Sequence, residues 1–415
     1  MSENAALLPQ TLLITFTGDD HPGVTAGLCE ALAQFPLVII DMEQIVVRGR
    51  LVLSVLVAID PDQGVSDDNP EIMAKVRRAA RQAAAAEDMD VTTVPGAQES
   101  SIYRQQRLEV TVLGAPLKPG AVQQIATQIA SHGGNIDRIR RIAAYPVTAV
   151  VFEGSGADFH DLRSALSVTA RRAGVDIAVQ EPGLDRRGQH LIVMDVDSTL
   201  ITDEVIDELA VRAGVATEVA ALTERAMAGE LDFAASLRAR VELLRGLSAT
   251  VLDEVREALT LTPGARTLCR TLQRLGYRVC LVSGGFVEVI GPLADDLGVD
   301  GVQANRLEIV DGVLTGQLQG PILDRRGKRE ALEAFAEQFD VPLRRTIAIG
   351  DGANDVDMLQ AAGLGVAFNG KEPARAAADA ALSVPYLDSV LFLLGITREE
   401  VEEADARFPA DATRQ

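Results

Sequence analysis

The chain has 415 residues, 47% apolar and 24% charged, an ordinary soluble composition with room for two to four domains at roughly 100–200 residues each. Its 39 Lys and Arg against 60 Asp and Glu leave a formal charge of −21, which repels phosphate backbones and anionic lipid and argues against nucleic acid and membranes as partners. No run approaches the ~18 apolar residues of a membrane helix, Met1-Ser2-Glu3-Asn4 lacks the positive segment of a signal peptide, and Cys29, Cys269 and Cys280 are too few for a disulfide framework or a zinc site, so a reduced cytoplasm is expected.

The first half repeats itself. Leu12 to Gly18 is an apolar strand ending in glycine; Pro22-Gly23 follows, then a helical pattern from Val24 to Phe35. Leu108 to Gly114, Pro119-Gly120 and the helical stretch Ala121 to Ser131 restate it, and Ile40-Asp41 recurs at the same offset as Ile136-Asp137. Each copy then carries a further apolar strand (Leu51 to Ile59; Val147 to Phe152) and a second helix (about Glu71 to Glu87; about Phe159 to Ala173). A short last strand closes each, Val91 to Val94 and Asp176 to Val179. The order βαββαβ, twice, predicts two ferredoxin-like α+β units. Pro95 to Ser101 and Glu181 to Gly188 read as polar linkers, which sets domains at 1–97, 103–181 and 186–400.

The second half alternates short apolar strands with amphipathic helices, the signature of a parallel sheet covered on both faces. The strands are Leu191 to Met194, Val279 to Val282, Thr346 to Ile349, Gly365 to Phe368 and Ala381 to Val384. Residues 202–261 are helical without a convincing strand and read as a small cap inserted after the first strand. Leu307 to Val310, Asp311-Gly312 and Val313 to Leu318 read as a hairpin. Residues 401–415 are expected to be a tail. The fold class is therefore α/β: a Rossmann-like parallel sheet with a helical cap, preceded by two α+β domains.

In open α/β sheets the active site lies outside the carboxyl ends of the strands. Asp195-Val196-Asp197-Ser198-Thr199 follows the first strand, Ser283-Gly284-Gly285 the second, and Gly350-Asp351-Gly352-Ala353-Asn354-Asp355 the third. Lys328 opens a helix running to Phe339. Four carboxylates at one rim repel unless a cation sits among them, and an all-oxygen set suits Mg²⁺. A carboxylate can attack phosphorus, a hydroxyl, an amide and a lysine can hold the phosphoryl oxygens, and a second carboxylate can protonate the leaving group.

These motifs, in this order, resemble those of the haloacid dehalogenase superfamily. The resemblance implies that Asp195 is the nucleophile and Asp197 the general acid and base. It implies Asp195, the Asp197 carbonyl and Asp351 as Mg²⁺ ligands, with Asp355 behind them, and Ser283, Gly284 and Lys328 as phosphate binders. From composition alone, Glu204 among Asp203, Asp207 and Glu208 reads as a solvated helix face, and Arg240 between Arg238 and Arg245 reads likewise. Their surroundings, Phe233 to Val241 before Leu243-Leu244 and Ser283-Gly284-Gly285-Phe286, resemble the phosphoserine phosphatase family. That implies Glu204 pairing with a substrate ammonium, Arg240 clamping its carboxylate, Phe233 closing over the site and Asn354 among the substrate contacts. The implied reaction is hydrolysis of O-phospho-L-serine, the last step of serine biosynthesis.

Gly18-Asp19-Asp20-His21-Pro22-Gly23 resembles the ligand loop of ACT domains, amino-acid-binding βαββαβ units. This implies Gly18, Asp20, Pro22 and Gly23 as an effector site, L-serine as an effector and a homodimer. The second copy, Gly114 to Gly120, lacks the acidic residue. Lysine is rare, only Lys75, Lys118, Lys328 and Lys371, and all but Lys328 read as solvent-facing. Two other readings stay open: a phosphatase or phosphotransferase for another small phosphoester, and an amino-acid sensor with a vestigial phosphatase domain.

Overall fold

Side chains alternate between buried and open along Thr11-Leu12-Leu13-Ile14-Thr15-Phe16, as a strand with one covered face requires. The structure, a computed structural model describing residues 11–63, 69–96, 106–183, 191–227 and 230–407, forms that strand as β1 (Thr11–Asp19). Met1 to Asn4 and residues 97–101, 184–188 and 408–415 of the expected linkers and tail lie outside the described residues. The chain divides into two units, Met1–Ser101 and Ile102–Gln415.

In the first unit β1 is followed by α1 (Val24–Leu32), β2 (Leu37–Val47), β3 (Arg50–Ile59), α2 (Pro70–Ala86) and β4 (Asp90–Pro95). The strands form an antiparallel sheet in the order β2-β3-β1-β4. Leu12, Ile14 and Phe16 pack with Leu53 and Val55 beneath Leu28 of α1 and Val76 of α2. Helix α1 stops before the expected Phe35, because Pro36 disfavours helical geometry at the residue preceding it. Asn69 caps α2, accepting from the Glu71 and Ile72 N–H groups.

The second unit repeats the pattern as β5 (Arg107–Gly114), α3 (Pro119–Ser131), β6 (Asn135–Ala143), β7 (Thr148–Ser155), α4 (Phe159–Ala173) and β8 (Asp176–Gln180). It then continues into β9 (Leu191–Asp195) and four cap helices, α5 (Val205–Ala213), α6 (Ala216–Met227), α7 (Phe233–Glu242) and α8 (Thr250–Ala258). Next come α9 (Ala265–Arg274), β10 (Arg278–Phe286), α10 (Val287–Leu297), the hairpin β11 (Gly301–Val310) and β12 (Val313–Gln319), and α11 (Arg325–Gln338). The remainder is β13 (Thr346–Gly350), α12 (Val356–Ala361), β14 (Leu364–Phe368), α13 (Glu372–Ala377), β15 (Ala380–Leu382), α14 (Val390–Leu393) and α15 (Arg398–Arg407).

One eleven-stranded sheet runs through the second unit in the order β12-β11-β10-β9-β13-β14-β15-β8-β5-β7-β6. Strands β10, β9, β13, β14 and β15 are parallel, and β8 pairs antiparallel with β15. In β9, Ile192 and Met194 enter one core while Leu191 and Val193 enter another on the opposite face. Two expectations change in detail. Strand β11 starts well before Leu307, because its polar first half pairs in parallel with β10. Helix α11 starts at Arg325 because Asp324 caps it, so Lys328 sits one turn in. Among the described residues no helix is long and apolar enough to cross a membrane.

Candidate active site

Parallel strands bring their carboxyl ends to one rim, and three of them carry the polar groups read from the sequence. Asp195 is the last residue of β9. Asp197 follows in the tight turn Val196–Leu200, where Ser198 has a left-handed φ of 56° that redirects the chain toward the cap. Ser283 and Gly284 lie within β10, at an irregularity where pairing with β11 passes from Ser283↔Ala304 to Phe286↔Asn305. Asp351, Asn354 and Asp355 lie in the loop between β13 and α12.

Lys328 reaches this rim from α11 and is 1% exposed. Its Nζ lies 2.7 Å from Asp195 Oδ2 and 2.7 Å from Asp355 Oδ1. Burial alone would lower its pKa; the two carboxylates outweigh burial and raise it, so the ammonium keeps its proton. Carboxylates still exceed cations here. Burial, then the Asp355 charge, push the Asp195 carboxyl well above the ordinary range, with Lys328 opposing. Burial likewise raises Asp351, against Lys371.

One oxygen each from Asp195, Asp351 and Asp355 lie within 4.8 Å of one another. A buried, all-oxygen set with excess negative charge fits a hard divalent cation such as Mg²⁺. Asp355 is heavily engaged: Oδ1 accepts from Lys328, and Oδ2 accepts from the Asp351 and Gly352 N–H groups at 3.1 and 2.8 Å. It holds the loop that presents Asp351.

Asp197 and Ser283 are coupled. Ser283 Oγ donates to Asp197 Oδ2 at 2.7 Å and accepts from the Gly285 N–H at 2.7 Å. The other oxygen of Asp197 accepts from the Val205 N–H at 2.8 Å, at the start of α5. Asn305, 2% exposed, ties two motif loops together: it donates to the Gly284 carbonyl at 2.7 Å and accepts from the Leu323 N–H at 2.8 Å.

The cap closes over this floor. Phe233, Ser236 and Arg240 share one face of α7 by helical spacing, and Asp232 caps that helix. A cavity of about 630 Å³ is lined by Asp195, Glu204, Phe233, Arg240, Gly284 and Asn354, among others. The Phe233 ring lies over Gly284, where an added Cβ would come 3.4 Å from its Cζ. Glu204 precedes α5 and accepts from Ser198 Oγ at 2.8 Å. Its side chain is open to solvent on the cavity side. Burial, then the Asp197 charge, raise it to about 7. Burial lowers the Arg240 pKa. Arg240 Nε and Ser236 Oγ are buried without a hydrogen-bond partner. Two orphaned donors beside one cavity are what a polar ligand would satisfy.

The structure thus gathers the sequence-selected residues of the second half into one site, with Ser283, Lys328 and Asp355 beneath it. Sequence reasoning does not single out Asp207, Ser236 and Lys371, which also line the cavity, or Asn305, which ties the loops beneath it. The expectation that Lys371 faces solvent holds only in part: its side chain is open to water, yet it also lines the cavity. The signal lies in the sequence, because Lys371 follows β14, a fourth parallel strand.

In the first unit, Gly18 lies near the end of β1 opposite Leu51, and Gly23 takes a φ of 115° at the start of α1. Asp20 and Pro22 are exposed in the turn between them. The Asp20 N–H donates to the Gly49 carbonyl at 2.8 Å, and His21 Nε2 lies 3.0 Å from the Glu87 carbonyl oxygen.

Residues 192–360 match the haloacid dehalogenase-like hydrolase family, and residues 10–93 and 108–180 each match the ACT domain family. A phosphoserine phosphatase of Streptomyces coelicolor is 53% identical over 95% of this chain and 94% of its own length. The phosphoserine phosphatase SerB2 of Mycobacterium tuberculosis is 51% identical over 95% of this chain and 96% of its own. Among solved structures, an unliganded probable phosphoserine phosphatase from Vibrio cholerae superposes with a TM-score of 0.56 at 36% identity, covering 71% of this chain and 88% of its own.

Proposed function

The chain belongs to the phosphoserine phosphatase family, with a haloacid dehalogenase-like hydrolase domain preceded by two ACT domains, and on that footing we propose how its residues hydrolyse O-phospho-L-serine to L-serine and phosphate. The observation that carries the reading is a single cavity whose floor holds Asp195 paired with Lys328 and whose wall holds Glu204 and Arg240. The floor is built for phosphoryl transfer. The wall carries one acid and one base suited to an amino acid's ammonium and carboxylate.

Asp195 attacks phosphorus, and the phosphoryl group passes to its carboxylate as the serine oxygen leaves with a proton from Asp197. Water then attacks the aspartyl-phosphate while Asp197 takes its proton, releasing phosphate and restoring Asp195. Ser283, the Gly284 amide and Lys328 hold the phosphoryl oxygens. Arg240 clamps the carboxylate, a task suited to its planar fork, and Glu204 takes the ammonium. Asn354 orients the substrate and Phe233 shuts out bulk water. Asp195, the Asp197 carbonyl and Asp351 would hold Mg²⁺, which when bound would neutralise phosphate charge, and Asp355 positions that set of residues.

The ACT-type turn Gly18, Asp20, Pro22 and Gly23 is the proposed L-serine site, lowering activity as product accumulates. The edge strand β2 exposes Ile39, Ile40 and Val47, apolar side chains that a second copy would cover, which supports a homodimer. Cys29, Cys269 and Cys280 are unpaired.

The test is phosphate release from O-phospho-L-serine with Mg²⁺, for wild type and Asp195→Asn, beside an aryl phosphate. Selective, Mg²⁺-dependent release lost in Asp195→Asn is expected. Release from the aryl phosphate alone discards the substrate, and no release with L-serine still bound favours the sensor reading.

A further inference from the structure

Lys371 has no part in the reaction just described, yet it grips one of its residues twice. Its backbone N–H donates to the Asp351 carbonyl at 2.8 Å, and its Nζ lies 3.2 Å from Asp351 Oδ2. The turn after β14 sets this up. Asn369 takes a left-handed φ of 46° and its N–H donates to the Leu382 carbonyl at 2.7 Å, and Lys371 lines the cavity just before α13 begins.

The charges on the floor are unevenly shared. Lys328 serves Asp195 and Asp355 at 2.7 Å each, while Asp351 is left to Lys371. Glu204 on the cap adds its charge to the same ammonium. The Lys371 side chain is 61% exposed. An ion pair so open contributes little to folding, and the four-carbon stem can swing aside at small cost.

We propose that Lys371 is a displaceable counter-ion for Asp351: it neutralises that carboxylate while no divalent cation is bound and yields the oxygen when one arrives. Lysine thereby competes with the cation. This rests on the reading that Asp351 is a Mg²⁺ ligand.

The experiment uses the full chain stripped of metal, without substrate. Mg²⁺ is titrated by calorimetry and by thermal melting into wild type, Lys371→Met, Lys371→Gln and Lys371→Arg. Removing one positive charge beside a divalent ion should lower the Mg²⁺ dissociation constant roughly threefold to tenfold in Lys371→Met and Lys371→Gln. By linkage, Mg²⁺ should therefore raise the Tm of the neutral variants by more than it raises that of wild type. Lys371→Arg should behave as wild type. Unchanged or weaker Mg²⁺ binding in the folded neutral variants overturns the counter-ion and leaves the metal site standing. No Mg²⁺ binding by wild type overturns both.

Discussion

Glu204 shows how a single residue's surroundings set a testable pH response. Its carboxyl moves from an ordinary 4.5 to about 7, because burial disfavours the charge and Asp197 repels it. Only the ionised form can pair with an ammonium. Above pH 7 that form dominates; below it the carboxyl gains a proton and the pair is lost. The KM for phosphoserine should therefore rise roughly tenfold between pH 8 and pH 6, with kcat changing less. Glu204→Gln should show a high KM throughout, with this limb removed. The phosphate of the substrate also titrates in this range, but equally for both enzymes. Parallel KM profiles for wild type and Glu204→Gln would remove Glu204 from ammonium recognition. Legibility differed among these residues for a physical reason. Asp195, Asp197 and Asp351 stand at strand ends, where sheet topology forces a rim. Ser236 is one polar residue in a helical pattern, and only the cap's closure turns its hydroxyl toward a cavity.

Elements matter here through the loops they hold in register. β10 presents Ser283 and Gly284, while α11 presents Lys328, and these must meet around one phosphoryl group. Asn305 of β11 is the tie between them, bonding the Gly284 carbonyl and the Leu323 N–H just ahead of α11. Asn305→Ala leaves two half-buried backbone groups without this partner, which should cost about 1–2 kcal/mol in urea unfolding. Inorganic phosphate should also bind more weakly as the loops part. A variant with unaltered stability and phosphate affinity would show the tie to be idle. Nothing in Gly301-Val302-Gln303-Ala304-Asn305 announces a strand, since its polar residues interrupt the apolar run. Its pairing with β10 supplies what local propensity does not. The cap is joined by a similar stitch: the Thr202 N–H donates to the Thr260 carbonyl at 3.0 Å, and the Thr262 N–H to the Leu200 carbonyl at 2.9 Å.

At the scale of the whole molecule, the two repeats are not equivalent. In the first unit β1 buries alternate residues, and Val52 on the uncovered face of β3 is 41% exposed. In the second, β5 is buried on both faces over most of its length. Leu113, Ala149 and Val151 belong to the same core as Ile192 and Leu391 of the phosphatase part. The junction is polar as well as apolar: Asp176 accepts from the Ser383 N–H at 2.7 Å, Gln180 donates to the Leu393 carbonyl at 3.0 Å, and Arg163 pairs with Asp379. The repeat was legible because both copies need the same helix-covered face. The difference was not, because the second face of a sheet is decided by whatever chain lies against it. A consequence follows for truncation. The first unit's core draws on its own residues, so a chain of residues 102–415 should keep a cooperative melt and its Mg²⁺ response. A chain of residues 184–415 exposes the apolar surface that Leu113, Ala149 and Val151 cover, each side chain worth about 1–3 kcal/mol of burial. It should melt roughly ten degrees lower than residues 102–415, or aggregate. Equal melting of the two would mean that the shared core holds nothing together, and that the second repeat is as separable as the first.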